Sequence, residues 1–166
     1  MSSISMGPRS PELWHNVFMK MAEALAKRSK DPNTQIGCVI VDQKNRIIST
    51  GFNGPPSTID DNEIDWSRPN KYSYICHAED NALWFGAQAR GVDGLRDATV
   101  YVTGKPCSRC MLSMARAGIG DVYCADTKIN MIDGPEWALT NRIAQLAEIH
   151  MYPMGDFNGP TSGQSG

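Results

Sequence analysis

Two short polar clusters constrain this chain more than any other feature: "CHAE" at residues 76–79 and "KPCSRC" at residues 105–110. Each opens an apolar segment with helical spacing. Strongly polar groups beside a face built for burial are costly unless something holds them. Cys107 and Cys110 stand three apart at a predicted helix start, so both sulfurs face one side. His77 opens another predicted helix 30 residues earlier. One imidazole and two thiolates are three good zinc ligands, and a structural zinc site would add a fourth from the protein. The chain offers few: His15 and His150 lie near the ends and Cys124 sits in a predicted strand. Three ligands with an open position for water point to catalysis. Helix N-termini favour this, because their free amides and positive dipole ends stabilise thiolates. Glu79, two residues past His77, is placed to carry protons. Taken singly each signal is ordinary: a helix-capping histidine, a first-turn glutamate, an isolated C-x-x-C.

The totals narrow the setting. A chain of 166 residues holds one domain with a proper core. Its net charge of −2 opposes a large nucleic-acid surface, and no polymer of that kind is expected as a partner. No apolar run approaches the ~20 residues of a membrane span, so no membrane partner is expected either. The start, "MSSISMGPRSPE", lacks the features of a secretory signal. Five cysteines, an odd number, do not read as a disulfide framework, so the expected location is the reducing cytoplasm. Cys38, Cys76 and Cys124 read as small buried apolar residues.

Periodicity supplies the elements. "PELWHNVFMKMAEALAKRS" puts Leu13, Val17, Met21 and Leu25 on one helical stripe, with Lys27 and Arg28 in the last turn. "TQIGCVIVD" and "RIISTGF" read as strands of a hairpin around Gln43-Lys44-Asn45. A long aperiodic stretch leads into the first polar cluster, and such a loop is expected to be functional. Helices follow over 77–89, 107–118 and 136–148, with strands at "ATVYVTG", "GDVYCAD" and "IHMYP". Alternating strands and helices predict an α/β fold, a three-layer α/β/α sandwich around one five-stranded sheet. The initial hairpin makes that sheet mixed. Residues 1–10 are expected to be a flexible tail, 11–154 the single domain, and 155–166 a disordered tail.

H-x-E followed by P-C-x-x-C is the signature of zinc deaminases acting on cytosine and adenine. The chain further resembles the deoxycytidylate deaminases of the cytidine deaminase-like superfamily. The likeness runs through "KRSKDPNTQIGCVIVDQKNRIISTGFNGPP", "DDNEIDW", "KYSYICHAEDNAL", "YVTGKPCSRC" and "AGIGDVYCAD", about residues 13–126. It implies hydrolysis of dCMP to dUMP and ammonia, feeding dTMP synthesis. It also implies one zinc ion on His77, Cys107 and Cys110, with Glu79 as proton shuttle. By the same likeness Ala78 and the carbonyl region of Thr103 orient the base, and Asn53 holds the sugar. Arg28 and Lys30 are candidates for the phosphate, with Lys105 and Arg109 as further ones. Members often close the pocket with a tyrosine just after the strand here ending "VYCAD". This chain continues "TKINMIDGPEW", leaving Lys128 or Trp137 as substitutes. Residues 54–75 contain no cysteine or histidine, so no second zinc is expected.

The resemblance also implies a homo-oligomer, commonly a hexamer, with dCTP as activator and dTTP as inhibitor. Mg2+ would accompany such an effector, and Gly51, Phe52 and Gly54 would form its site. Leu83, Trp84 and Phe85 are three successive apolar residues on one helix, so at least one is expected to face a neighbouring copy or second layer. The competing readings are a deaminase of free cytidine or tRNA adenosine, and a zinc module that binds dCTP without turnover.

Overall fold

The computed structural model describes residues 11–126 and 132–155. The expectations for residues 1–10, for the tail from 156 on, and for Lys128 lie outside them. The elements in chain order are α1 (Pro11–Ala26), β1 (Gly37–Val41), β2 (Ile47–Phe52), α2 (Ala78–Arg90), β3 (Thr99–Val102), α3 (Ser108–Ala117), β4 (Asp121–Ala125), α4 (Gly134–Leu146) and β5 (His150–Met154). The five strands form one sheet in the order β2-β1-β3-β4-β5. β1 is antiparallel to both β2 and β3, whereas β3, β4 and β5 are mutually parallel. Only β1 therefore runs against the rest. The C-terminal ends of β2 and β3 come out on the same side, where α2 and α3 begin.

Each face of the sheet has its own core. On one, α1 buries Phe18, Met19 and Ala22 against Val39, Val41 and Tyr101. On the other, α2 and α3 bury Ala82, Leu83, Met111 and Met114 against Ile40, Val100, Val102 and Val122, and Ala144 of α4 joins them. The predicted α/β/α layering holds.

The buried stripe of α1 differs from the predicted one. Leu13 and Val17 are exposed, while Phe18, Met19, Ala22 and Ala26 face the sheet. The cause is Gly37: a Cβ there would lie 1.8 Å from the Ala22 carbonyl oxygen. Helix and strand meet backbone to backbone, which selects alanines for the contact face. α1 also stops at Ala26, so Lys27 and Arg28 stand beyond its last turn.

The hairpin turn lies where predicted. Asp42 accepts from the amides of Lys44 and Arg46, and Asn45 takes φ 58°, which Asn tolerates better than most residues. The loop before α2 is tied down at both ends. Gly54 and Cys76 exchange backbone hydrogen bonds at 3.1 and 2.9 Å, and two single 3-10 turns, Asp61–Glu63 and Asn70–Ser73, punctuate it. Among the described residues, no helix is long and apolar enough to cross a membrane.

Candidate metal centre and active site

The two polar clusters meet at two helix starts. His77 is the N-cap residue of α2 yet makes no side-chain capping bond, so its ring is not spent on the helix. Cys107 is the N-cap of α3, its sulfur accepting the Cys110 amide at 3.5 Å. His77 Nδ1 lies 3.6 Å from Cys107 Sγ and 3.4 Å from Cys110 Sγ. Zinc bonds of about 2.3 Å to sulfur and 2.0–2.1 Å to nitrogen, at a tetrahedral angle, place nitrogen and sulfur about 3.6 Å apart. The donor set and its spacing therefore fit zinc. Among the described residues the cluster has three members. His15 instead bonds Tyr101 and Tyr123 on the face of the sheet that α1 covers, His150 pairs with Asp121, and Cys124 is buried in β4.

Charge at the cluster is unevenly held. Hydrogen bonding from Cys110, with His77 also contributing, lowers Cys107 to about 4. The bond to Cys107 pushes the Cys110 thiol far up, and burial adds to this. The bond to Cys107 raises His77 to about 9. Glu79 is only 4% exposed. Burial lifts its carboxyl above the ordinary range, although His77 and a hydrogen bond with Cys110 oppose the shift.

α4 braces the cysteine loop from outside. The Thr140 hydroxyl donates to the Pro106 carbonyl, and Glu136 accepts the Ser108 amide. Neither residue stands out in the sequence, because the contact joins segments about 30 residues apart.

A cavity of about 260 Å³ opens onto His77, Glu79 and Cys107. Its wall also includes Ala78, Asn53, Lys105 and Ile132, together with Asp31, Lys71 and Tyr72. The last three were not singled out from the sequence. Their link to the site is a long-range contact with no local pattern. Asn53 turns its side chain to the backbone, Oδ1 accepting from the Ile36 amide and Nδ2 donating to the Thr34 carbonyl, both at 2.8 Å. Thr103 is buried at the end of β3, and its hydroxyl accepts the Gly37 amide. Lys105 pairs with Asp126 at 2.9 Å and lies 5.2 Å from the centre of the Trp137 ring.

Arg28 and Lys30 line a neighbouring cavity with Phe52, Gly54, Trp84 and Phe85, and Asn53 borders both spaces. Gly51 backs this region: a Cβ on it would meet the Ala78 oxygen at 2.5 Å and the Ala82 nitrogen at 2.7 Å. Arg109 borders a third space with His77 and Arg116. Of the three successive apolar residues on α2, Leu83 enters the core while Trp84 is 66% exposed and Phe85 is exposed as well.

Comparison with known proteins bears on the whole of this region. A model of the cytidine and deoxycytidylate deaminase zinc-binding region matches residues 12–126. A Caenorhabditis elegans protein named "Probable deoxycytidylate deaminase" is 40% identical over 118 residues, covering 69% of this chain and 58% of that protein. The chain thus spans less than two thirds of that relative's length. The Homo sapiens deoxycytidylate deaminase is 35% identical over 140 residues, covering 80% of this chain and 76% of its own. The dCMP deaminase of cyanophage S-TIM5, solved with dCMP and dUMP, superposes with a TM-score of 0.71 at 24% identity. That match covers 87% of this chain and 98% of the phage chain, and it shows a shared fold.

Proposed function

The chain belongs to the cytidine and deoxycytidylate deaminase zinc-binding family, and on that premise we propose that it hydrolyses dCMP to dUMP and ammonia with one zinc ion per chain. The observation that carries this reading is the buried Glu79 carboxyl beside a three-ligand cluster, at a cavity open to a small molecule. When bound, zinc supplies Lewis-acid activation of a water molecule. Glu79 would take one proton from the attacking water and give it to the ring nitrogen beside the reacting carbon, as the water oxygen bonds to that carbon. It would then carry the remaining proton of the added hydroxyl to the amine, so that the C–N bond breaks, ammonia leaves and the oxygen stays as the uracil carbonyl. Its raised pKa suits it to both transfers, since an acid–base catalyst works best near the operating pH.

Residues in and beside the wall orient the nucleotide. The Ala78 amide and the carbonyl region of Thr103 hold the base edge. Asn53 Nδ2 spends one hydrogen on Thr34 and directs its second to the sugar. Lys105 is the cation we place beside the phosphate, because it lines the same cavity as Glu79. Arg28 and Lys30, with Phe52 and Gly54, fit a separate effector site for dCTP or dTTP carrying Mg2+. The exposed Trp84 and Phe85 support association of copies, with a hexamer as the expected assembly.

The test is turnover by the zinc-loaded protein of dCMP, cytidine, guanine and a tRNA stem-loop, followed by ammonia release and absorbance. Conversion of dCMP well above the others is expected. Equal turnover of cytidine removes the phosphate contact, and no turnover of dCMP removes the reading itself.

A further inference from the structure

The cavity wall contains a buried charge pair that the deamination chemistry does not use. Lys71 is 1% exposed and Asp31 5%. Lys71 Nζ donates to both Asp31 carboxylate oxygens, at 2.7 and 2.9 Å, and to Asn33 Oδ1 at 3.1 Å. The same ammonium lies 5.3 Å from the centre of the neighbouring Tyr72 ring. That ring is 59% exposed and lines the cavity together with Ile75 and His77.

Neither partner of the pair stands on a helix or strand of the sandwich. Asp31 lies in the connection from α1 to β1, and Lys71 in the 3-10 turn at Asn70–Ser73, 40 residues away. Asp31 also accepts the amides of Asn33 and Thr34, at 2.8 and 3.1 Å. From Thr34 the network continues through Asn53 to the start of β1. One buried ammonium thus joins two irregular segments at one cavity, and the first of them is tied in turn to Asn53.

Energy alone does not account for it. A buried ion pair is often no more stabilising than an apolar pair of the same volume, because both charges are desolvated. What such a pair provides is a single register for segments that lack a backbone ladder. The register fixed here places an exposed aromatic ring at the mouth of the reaction cavity, with a cation within reach of its π system.

We propose that Lys71 is a positioning residue of this site: its ion pair with Asp31 fixes the 70–73 turn so that Tyr72 covers the bound pyrimidine nucleotide. The proposal rests on the deaminase reading above and adds to it a residue that touches substrate, Tyr72, and the anchor that holds it. Aromatic contact of this kind corresponds to about tenfold in affinity.

The experiment compares the zinc-loaded parent with Tyr72→Ala, with the neutral pair Asp31→Asn/Lys71→Met, and with the triple variant. It reads KM and kcat for dCMP, binding of dUMP by calorimetry, zinc content and Tm. Tyr72→Ala is expected to raise KM and weaken dUMP binding about tenfold, with kcat within about twofold and zinc content unchanged. The neutral pair is expected to match that loss, and the triple variant to add nothing to it. A merely structural Lys71 would give losses that add in full, and that result overturns the proposal. If the neutral pair does not fold, Tyr72→Ala decides alone, because its side chain is exposed: unchanged KM and dUMP affinity refute the contact. A parent that turns over no dCMP overturns the function and this inference together. A parent that does, beside an unaffected Tyr72→Ala, overturns the inference only.

Discussion

The Glu136 carboxylate accepts the backbone amide of Ser108 at 2.7 Å, tying α4 to the first turn of α3 between the two cysteines. That turn has a cysteine at its N-cap, where serine, threonine or aspartate would normally satisfy the free amides. Sulfur is a weaker acceptor than a hydroxyl or carboxylate oxygen, and the Cys107 contact is long at 3.5 Å. Glu136 adds a second cap from another helix, beside the Cys107 sulfur that accepts the Cys110 amide, and its negative charge sits at the positive end of α3.

Replacing Glu136 by alanine is accordingly expected to weaken zinc binding by up to about tenfold, as for other outer partners of a metal site. Glu136→Gln keeps an acceptor and should restore part of the loss. The Ser108 hydrogen bond holds the Glu136 carboxyl below its usual range, so the effect is present above the ordinary carboxylate pKa and lost as pH falls through the lowered one. Competition with a chelating dye across acid pH measures it.

Glu79→Gln is expected to leave the metal in place and stop the reaction. Glutamine fills the same buried volume and keeps an acceptor, but it cannot carry a proton between water and the leaving amine. The loss should reach about 10³–10⁴-fold in kcat. Metal analysis and ammonia release on one sample distinguish this from a site that has lost its ion.

Zinc uptake should release about two protons per ion near neutral pH. In the metal-free cluster His77, raised to about 9, carries one proton and Cys110 carries another, whereas Cys107, lowered to about 4, is already a thiolate. Binding requires a neutral imidazole and two thiolates, so affinity rises with pH, by about hundredfold per unit between those values. Above about 9 His77 has no proton to give, and the slope falls to about tenfold. Calorimetry in buffers of different ionisation enthalpy counts the protons directly. A count of one at neutral pH would refute this charge assignment.

Gly51→Ala should act on α2 rather than on an effector alone. The added methyl meets backbone atoms of Ala78 and Ala82, which cannot rotate away. Overpacking of this kind costs about 1–3 kcal/mol. Because His77 is the N-cap of α2, the shift should also loosen zinc. A fall in Tm together with faster zinc loss is expected, and a change in dCTP response with unaltered Tm would assign Gly51 to the effector site.

The three-member His/Cys/Cys cluster and the layering of the fold were both legible in the chain, for a local reason. His77, Glu79, Cys107 and Cys110 are each fixed by their place in the first turn of a helix, and helix starts are written in short-range spacing. The strand and helix order came from periodicities of two and 3.6 residues, which are local as well. Tertiary structure decided what depends on contacts between distant segments. The face that α1 buries follows from its backbone packing over Gly37. Arg28 and Lys30 come to border another cavity from Glu79, and Glu136 reaches α3. Lys71 finds Asp31 only because two irregular loops close around the same space. A charged residue in a loop carries no periodic signal of its eventual partner, since pairing is settled by desolvation in the assembled core.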